Sequence, residues 1–340
     1  MNFGLLLIII VHLFGWTGAV PTGSNPSPNR LPACQKPLVR KEWRTLPKQE
    51  RRSYLKAVQC LLDRPSLTSR DVLPGAVNRF EDFLGDHILQ TNTNFSGNFY
   101  PWHRLLIWSH EQALRTCGYA GAQPYWDWTL DATSAESMLA SPIFSPTTGF
   151  GGNGNYVPGT EANLYPRLTA TGTGLPVDFS DRSGGGCIPD GPFANLTINM
   201  GPGDSTAYNE WCVRRDFLPS HYWDFDRMSE FTVHNAGHVG VGGLYGVLTD
   251  AWASPGDPLF FLHYANMDRL WWSWQSRDLP RRLEDIASPM VAHDYANERG
   301  RNVTLDDTVY TVSAANMTVR IRDLVDIANG LLCYEYDGLY

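Results

Sequence analysis

Four separate stretches of this chain carry helical periodicity, and each sets a histidine among apolar or aromatic neighbours. That pattern constrains the fold, because an imidazole on the buried face of an amphipathic helix needs a polar partner in the interior. Residues 76–90 (AVNRFEDFLGDHILQ) place His87 after Phe80, Phe83 and Leu84, and the spacing predicts a helix there despite Gly85. Residues 101–116 (PWHRLLIWSHEQALRT) place His103 beside Trp102 and His110 two turns further on. Pro101 suits the first turn of that helix and Gly118 its stop. Helical signals return at about 226–240, with His234 and His238 in VHNAGHVGVGG, and at 257–277 (DPLFFLHYANMDRLWWSWQSR), with His263. Residues 40–63 also read as helical, with Leu55, Val58, Leu61 and Leu62 at helical spacing.

His234 and His238 are spaced i, i+4, which puts both imidazoles on one helix face, one turn apart, where they can share a metal. A lone HxxxH is more often a solvated face, and a lone histidine on an apolar face is commonly a hydrogen-bonded core residue. Several on four helices point instead to a metal site built from side chains on facing helices. An all-imidazole donor set suits Cu, Zn, Fe or Ni.

The rest of the chain narrows the class. The 12 Trp, 15 Tyr and 15 Phe within a 43% hydrophobic composition exclude disorder, collagen and coiled coil. A formal charge of −8, with no basic patch and all four Lys before residue 57, argues against nucleic acid as a partner. Residues 131–210 are rich in Gly, Pro, Ser and Thr (GFGGNGN, GGGC) and read as a long irregular excursion with short strands. Residues 307–322 alternate like strands, and the chain closes with CYEYDGLY. No repeat of fixed period is present.

The apolar run at residues 3–16 is shorter than the roughly 20 residues of a membrane span. Thr17-Gly18-Ala19 follows it, so residues 1–19 read as a secretory signal peptide, although no positive charge precedes the run. A Pro/Ser linker at 20–33 and one domain at 34–340 come next, and the mature protein is expected to be secreted, with no membrane association. Six Cys (Cys34, Cys60, Cys117, Cys187, Cys212 and Cys333) favour disulfides in an exported chain, and the sequence does not choose among the pairings. Sequons at Asn195, Asn302 and Asn316 mark the expected product as a glycoprotein, whereas the fourth, at Asn94, is read as accidental.

Taken together, FYPWHRLLIWSHEQALRTCGY, QPYWDWTLD, VHNAGHVGVGG and DPLFFLHYANMDRLWWSW resemble the fungal tyrosinases and catechol oxidases, which are coupled dinuclear (type 3) copper proteins. The closing CYEYD resembles the tyrosine motif that ends their catalytic core, and the resemblance runs over about residues 34–336. It implies a mainly α fold: a four-helix bundle with long irregular loops and a few short strands. It implies two copper ions, each held by three histidines. His87 matches the first ligand of the first copper and His103 the third; His234 and His238 match the first two ligands of the second. Asp268 and Arg269 match a structural Asp-Arg pair. Asn235 matches a catalytic Asn that, in some members, helps a water take the phenol proton. The chain stops soon after the tyrosine motif, like the short secreted forms, so no C-terminal lid is expected.

Two positions depart from the pattern. Asn94 stands where the second ligand of the first copper belongs, nine residues before His103. Tyr264 stands at the second position of an expected HH pair, where the third ligand of the second copper belongs, leaving His263 as its neighbour. Each metal is thus expected to lack one ligand, with His263 or His110 as replacements. Asn92 replaces a Cys that forms a thioether in some members. The resemblance implies a copper-dependent oxidoreductase, including monooxygenase chemistry, that acts on small phenolic or catecholic aromatics with O2, in secondary metabolism. The two departures leave open a pseudoenzyme or accessory binding protein with partial or no copper, and a mononuclear or rearranged copper site.

Overall fold

A computed structural model describes residue 32 and residues 34–158, 182–217 and 233–340. The expected signal peptide, the expected linker apart from Pro32, and His12 and His221 lie outside the described residues. So do the middle of the expected excursion and residues 226–232 of the fourth expected helix.

The first helix, α1, spans Lys48–Asp63 rather than starting near residue 40. Pro47 holds Leu46 in extended backbone, and the helix opens only beyond it. Residues Leu38–Arg40 form strand β1 instead. Helix α2 spans Arg79–Leu89 and begins on a capping box: the Asn78 side chain accepts from the Glu81 N–H, and Glu81 accepts from the Asn78 N–H. Its Gly85 is set by packing, since a β-carbon there would stand 2.3 Å from a Leu73 methyl. Helix α3 spans Phe99–Thr116 and stops at Gly118, whose φ of 82° suits glycine. Helix α5 covers Val233–Gly242 and α6 covers Phe260–Ser276, while a short α4, Ala135–Leu139, lies in the excursion.

Helix α3 packs along α6, and α1 packs on α2 and α3. One apolar core runs through all of them, including Phe80, Phe83, Trp102, Leu106, Phe260 and Phe261. The fold is mainly helical, as the sequence implies. The strands are short. β2 (Thr197–Ile198) pairs antiparallel with β3 (Trp211–Cys212). β4 (Thr308–Thr311) and β5 (Met317–Arg320) form an antiparallel pair, with Val309 opposite Val319 on its buried face. β6 (Tyr334–Tyr336) pairs parallel with β1, Leu38 opposite Tyr334.

The six cysteines pair as Cys34–Cys333, Cys60–Cys117 and Cys187–Cys212. The first ties the start of the described chain to β6, and the second ties α1 to the end of α3. Asn195, Asn302 and Asn316 are exposed, whereas Asn94 is half-buried.

The helices are locked together by a buried charge network. Asp268 on α6 takes the Arg104 guanidinium on one oxygen. Its other oxygen accepts from Tyr334 and Tyr336 hydroxyls, both at 2.6 Å, and from Arg40 at 3.4 Å. Burial alone would raise the Asp268 carboxyl, but Arg104, Arg40 and the two hydroxyls hold it below the ordinary range. Arg269 reaches Asp127 of the PYWDW segment at 2.9 Å. Arg215 forks onto Asp257 at 2.8 and 2.9 Å and donates to the Phe150 and Gly151 carbonyls, fixing the excursion to the approach of α6.

Candidate metal centre

Each of the five candidate imidazoles comes from a helix wall. His87 lies in the last turn of α2, His103 in the first turns of α3, His234 and His238 on α5, and His263 on α6. All are buried, His234 and His238 being the most accessible at 8%. His87 and His103 form one group, with ring centroids 5.7 Å apart. His234, His238 and His263 form another, in which one ring nitrogen from each lies within 4.8 Å of the others.

Backbone carbonyls orient the rings. The Nδ1 of His87 stands 2.6 Å from the Trp252 oxygen, that of His103 2.8 Å from the Phe99 oxygen, and that of His238 2.5 Å from the Leu248 oxygen. A carbonyl only accepts, so each Nδ1 carries the proton and each Nε2 keeps a bare lone pair. The Nε2 atoms of His87, His103 and His263 are buried without any hydrogen-bond partner. Buried orphan acceptors of this kind are costly unless something fills the space between them.

Burial holds all five imidazoles neutral. The His87 and His238 rings are pushed down to about 4 by desolvation. His103, His234 and His263 are lowered by burial first and then by the neighbouring imidazoles. Neutral imidazole is the form that ligates a metal.

The donor set fits a copper-sized ion at the second group. Two nitrogens bound to one ion at about 2.0–2.1 Å stand about 3 Å apart, and the Nε2 atoms of His234 and His238 stand 3.0 Å apart. His263, expected as a replacement ligand, lies against this group: its ring is 4.8 Å from that of His238 and 5.7 Å from that of His234. Gly237, three residues after His234 and next to His238, makes the approach possible, since a β-carbon there would stand 2.3 Å from His263 Nδ1.

The first group is smaller. Among the described residues, no third His, Cys, Asp or Glu closes on His87 and His103. Asn94 follows a short 3-10 turn at Thr91–Thr93, and its Oδ1 is buried without a partner. His110 does not join either group. It stacks on Phe261 at 3.6 Å and bonds the Gln123 side chain at 3.0 Å, so it packs in the core between α2 and α6. Asn235, next to His234 on α5, is half-buried.

Tyr264 is the participant that sequence reasoning counted only as a loss. Its hydroxyl contacts the Nε2 of His234 and lies 3.3 Å from that of His238. Its ring stacks on His103 at 4.2 Å and 19°. It therefore touches both imidazole groups.

The profile described as the common central domain of tyrosinase matches residues 77–221 and 215–277, which contain all five histidines. The chain belongs to the tyrosinase family. It is 34% identical to the tyrosinase-like protein phomQ1 of Diaporthe leptostromiformis, over 89% of this chain and 78% of that one. It is 33% identical to tyrosinase P of Aspergillus terreus (90% and 93%) and 31% identical to the N-acetyl-6-hydroxytryptophan oxidase ivoB of Emericella nidulans (88% and 92%). Among solved structures it superposes on a point mutant of the polyphenol oxidase of Thermothelomyces thermophila with a TM-score of 0.75, at 31% identity and over 90% of each chain. Membership implies a dicopper centre and oxidoreductase chemistry. No described helix is long and apolar enough to cross a membrane.

Proposed function

We propose that this protein is a secreted copper-dependent oxidoreductase that oxidises small phenolic or catecholic aromatics with O2. The observation that carries the reading is the convergence of His234, His238 and His263, with nitrogens at metal-sharing distance. In this reading those three hold the second copper, and His87 and His103 hold the first with one imidazole fewer. A copper pair supplies two one-electron carriers that act together on O2.

The chain's own residues do the rest. The carbonyls of Trp252, Phe99 and Leu248 fix the rings, so the donors need no reorganisation when a metal arrives. Burial keeps the imidazoles neutral and excludes bulk water from the donors. Asn235, half-buried beside His234, is the residue this reading assigns to hold a water that would take the phenol proton. Phe99, buried with its ring 4.7 Å from that of His103 and 4.9 Å from that of His234, packs between the two imidazole groups. The hydroxytryptophan named for one relative is an aromatic of the proposed substrate class. Secretion is supported by the apolar leader and three disulfides, glycosylation by the exposed Asn195, Asn302 and Asn316, and a role in secondary metabolism by the family's fungal members.

A second reading, an accessory protein with partial copper and impaired turnover, is favoured by the two-imidazole first group. O2 consumption with a catechol substrate, followed during copper titration, separates the two. The oxidoreductase reading expects uptake to rise as the second copper equivalent binds, and Asn94→His to shift that rise to lower copper. No uptake at any copper level, in either the wild type or Asn94→His, supports the accessory role and contradicts the oxidoreductase.

A further inference from the structure

Position 264 bears an ionisable oxygen where the family pattern sets an imidazole, and that oxygen is aimed at the three-histidine group. We infer that Tyr264 is itself a ligand, an oxygen donor to the copper held by His234, His238 and His263. This rests on the reading of that group as a copper site.

Three observations place the oxygen. First, it touches His234 Nε2 and lies 3.3 Å from His238 Nε2, while those two nitrogens are 3.0 Å apart. The two edges that meet at His238 Nε2, 3.0 and 3.3 Å, match donors converging on one ion. Second, the ring has nowhere else to go. It is 2% exposed, stacked on His103 at 4.2 Å and packed against Phe260 at 4.2 Å. A donor held by packing loses little entropy on ligation. Third, His263, the adjacent residue on α6, brings one ring nitrogen to the same group, so one helix supplies an N and an O donor side by side.

The chemistry balances without any redox step. Cu(II) replaces the phenol proton, a Cu–O bond forms as the O–H bond breaks, and the proton leaves to buffer. An anionic oxygen favours Cu(II) over Cu(I) relative to a third imidazole, because it offsets the higher charge. The second site would therefore be an N3O centre and resist reduction more than a three-imidazole one.

The test is copper titration of the full chain, wild type against Tyr264→Phe, read by visible absorption and EPR. The phenylalanine keeps the ring stack and removes only the oxygen. The expected result is a phenolate-to-Cu(II) charge-transfer band in the wild type that vanishes in Tyr264→Phe, with copper still bound about tenfold more weakly. A wild type that binds copper with no such band, or a band unchanged in Tyr264→Phe, overturns the inference and leaves the copper site standing. A wild type that binds no copper overturns both.

Discussion

Gly237→Ala makes the sharpest use of the geometry. The glycine lies on α5 between His234 and His238, and an added β-carbon would stand 2.3 Å from His263 Nδ1 and 2.4 Å from its Cε1. Ordinary contact begins at about 3.5 Å, so the ring or the helix must move by roughly 1 Å. His263 is fully buried, which leaves no solvent side to retreat into. Overpacking of this kind costs about 1–3 kcal/mol. Alanine returns about 0.5–1 kcal/mol through its better helix propensity. The net loss is therefore about 0–2.5 kcal/mol, a fall in Tm of several degrees at most. Metal–nitrogen distances tolerate only about 0.2 Å, so copper affinity should drop about 10–100-fold or more. The assay is copper content after dialysis against a weak chelator, with Tm measured in parallel. Gly338→Ala serves as the control, because nothing lies within 4 Å of its β-carbon. If Gly237→Ala keeps wild-type copper, His263 is not at the metal and the three-imidazole site is wrong.

Two other expectations concern stability. Asp268→Asn leaves Arg40 and Arg104 buried without their shared counter-charge, and should cost about 3–5 kcal/mol in urea unfolding; Asp278→Asn, facing the exposed Arg281, should stay within about 0.5 kcal/mol. Equal small effects would mean that the Asp268 network is not what locks the helices. The metal-free protein should lose stability as the pH falls from about 6.5 towards 4. Desolvation depresses six imidazoles (His87, His103, His110, His234, His238 and His263), which the unfolded chain protonates first. Burial raises the carboxyls of Glu42, Glu81, Asp86 and Asp250, and these act in the opposite sense. The depressed imidazoles outnumber the raised carboxyls, so the net effect on acidification is a loss of stability. A calorimetric Tm that rises on acidification through this range would contradict the burial of the imidazoles.

Much of this was legible in the chain. Helical periodicity located α2, α3 and α6, and the histidines at 87, 103, 234 and 238 line the interior because their helices are apolar around them. The start of α1 was misplaced by the pull of Leu55, Val58 and Leu61, which describe its middle, while Pro47 sets its beginning. The sequence named His263 as a replacement and Tyr264 as a departure, but which of the two reaches the site was not readable. Adjacent residues diverge by about 100° on a helix, but α6 is buried on nearly every side, so both side chains reach the site and the pattern does not say which is the donor. The carbonyls that orient the rings also left no signal, because a backbone oxygen has no residue identity. Arg215 and Asp257 meet from segments 42 residues apart, a pairing that only the fold supplies.

The central claim is that His234, His238 and His263 make one complete copper site while the pair at His87 and His103 is a donor short. EPR spin counting of the purified chain with one equivalent of Cu(II) tests it most directly. The account predicts that nearly all the added copper appears as a single EPR-visible species, and that this species is lost in His263→Ala. An EPR-silent coupled pair occupying half of the chains at that ratio, or the same signal surviving in His263→Ala, would contradict it.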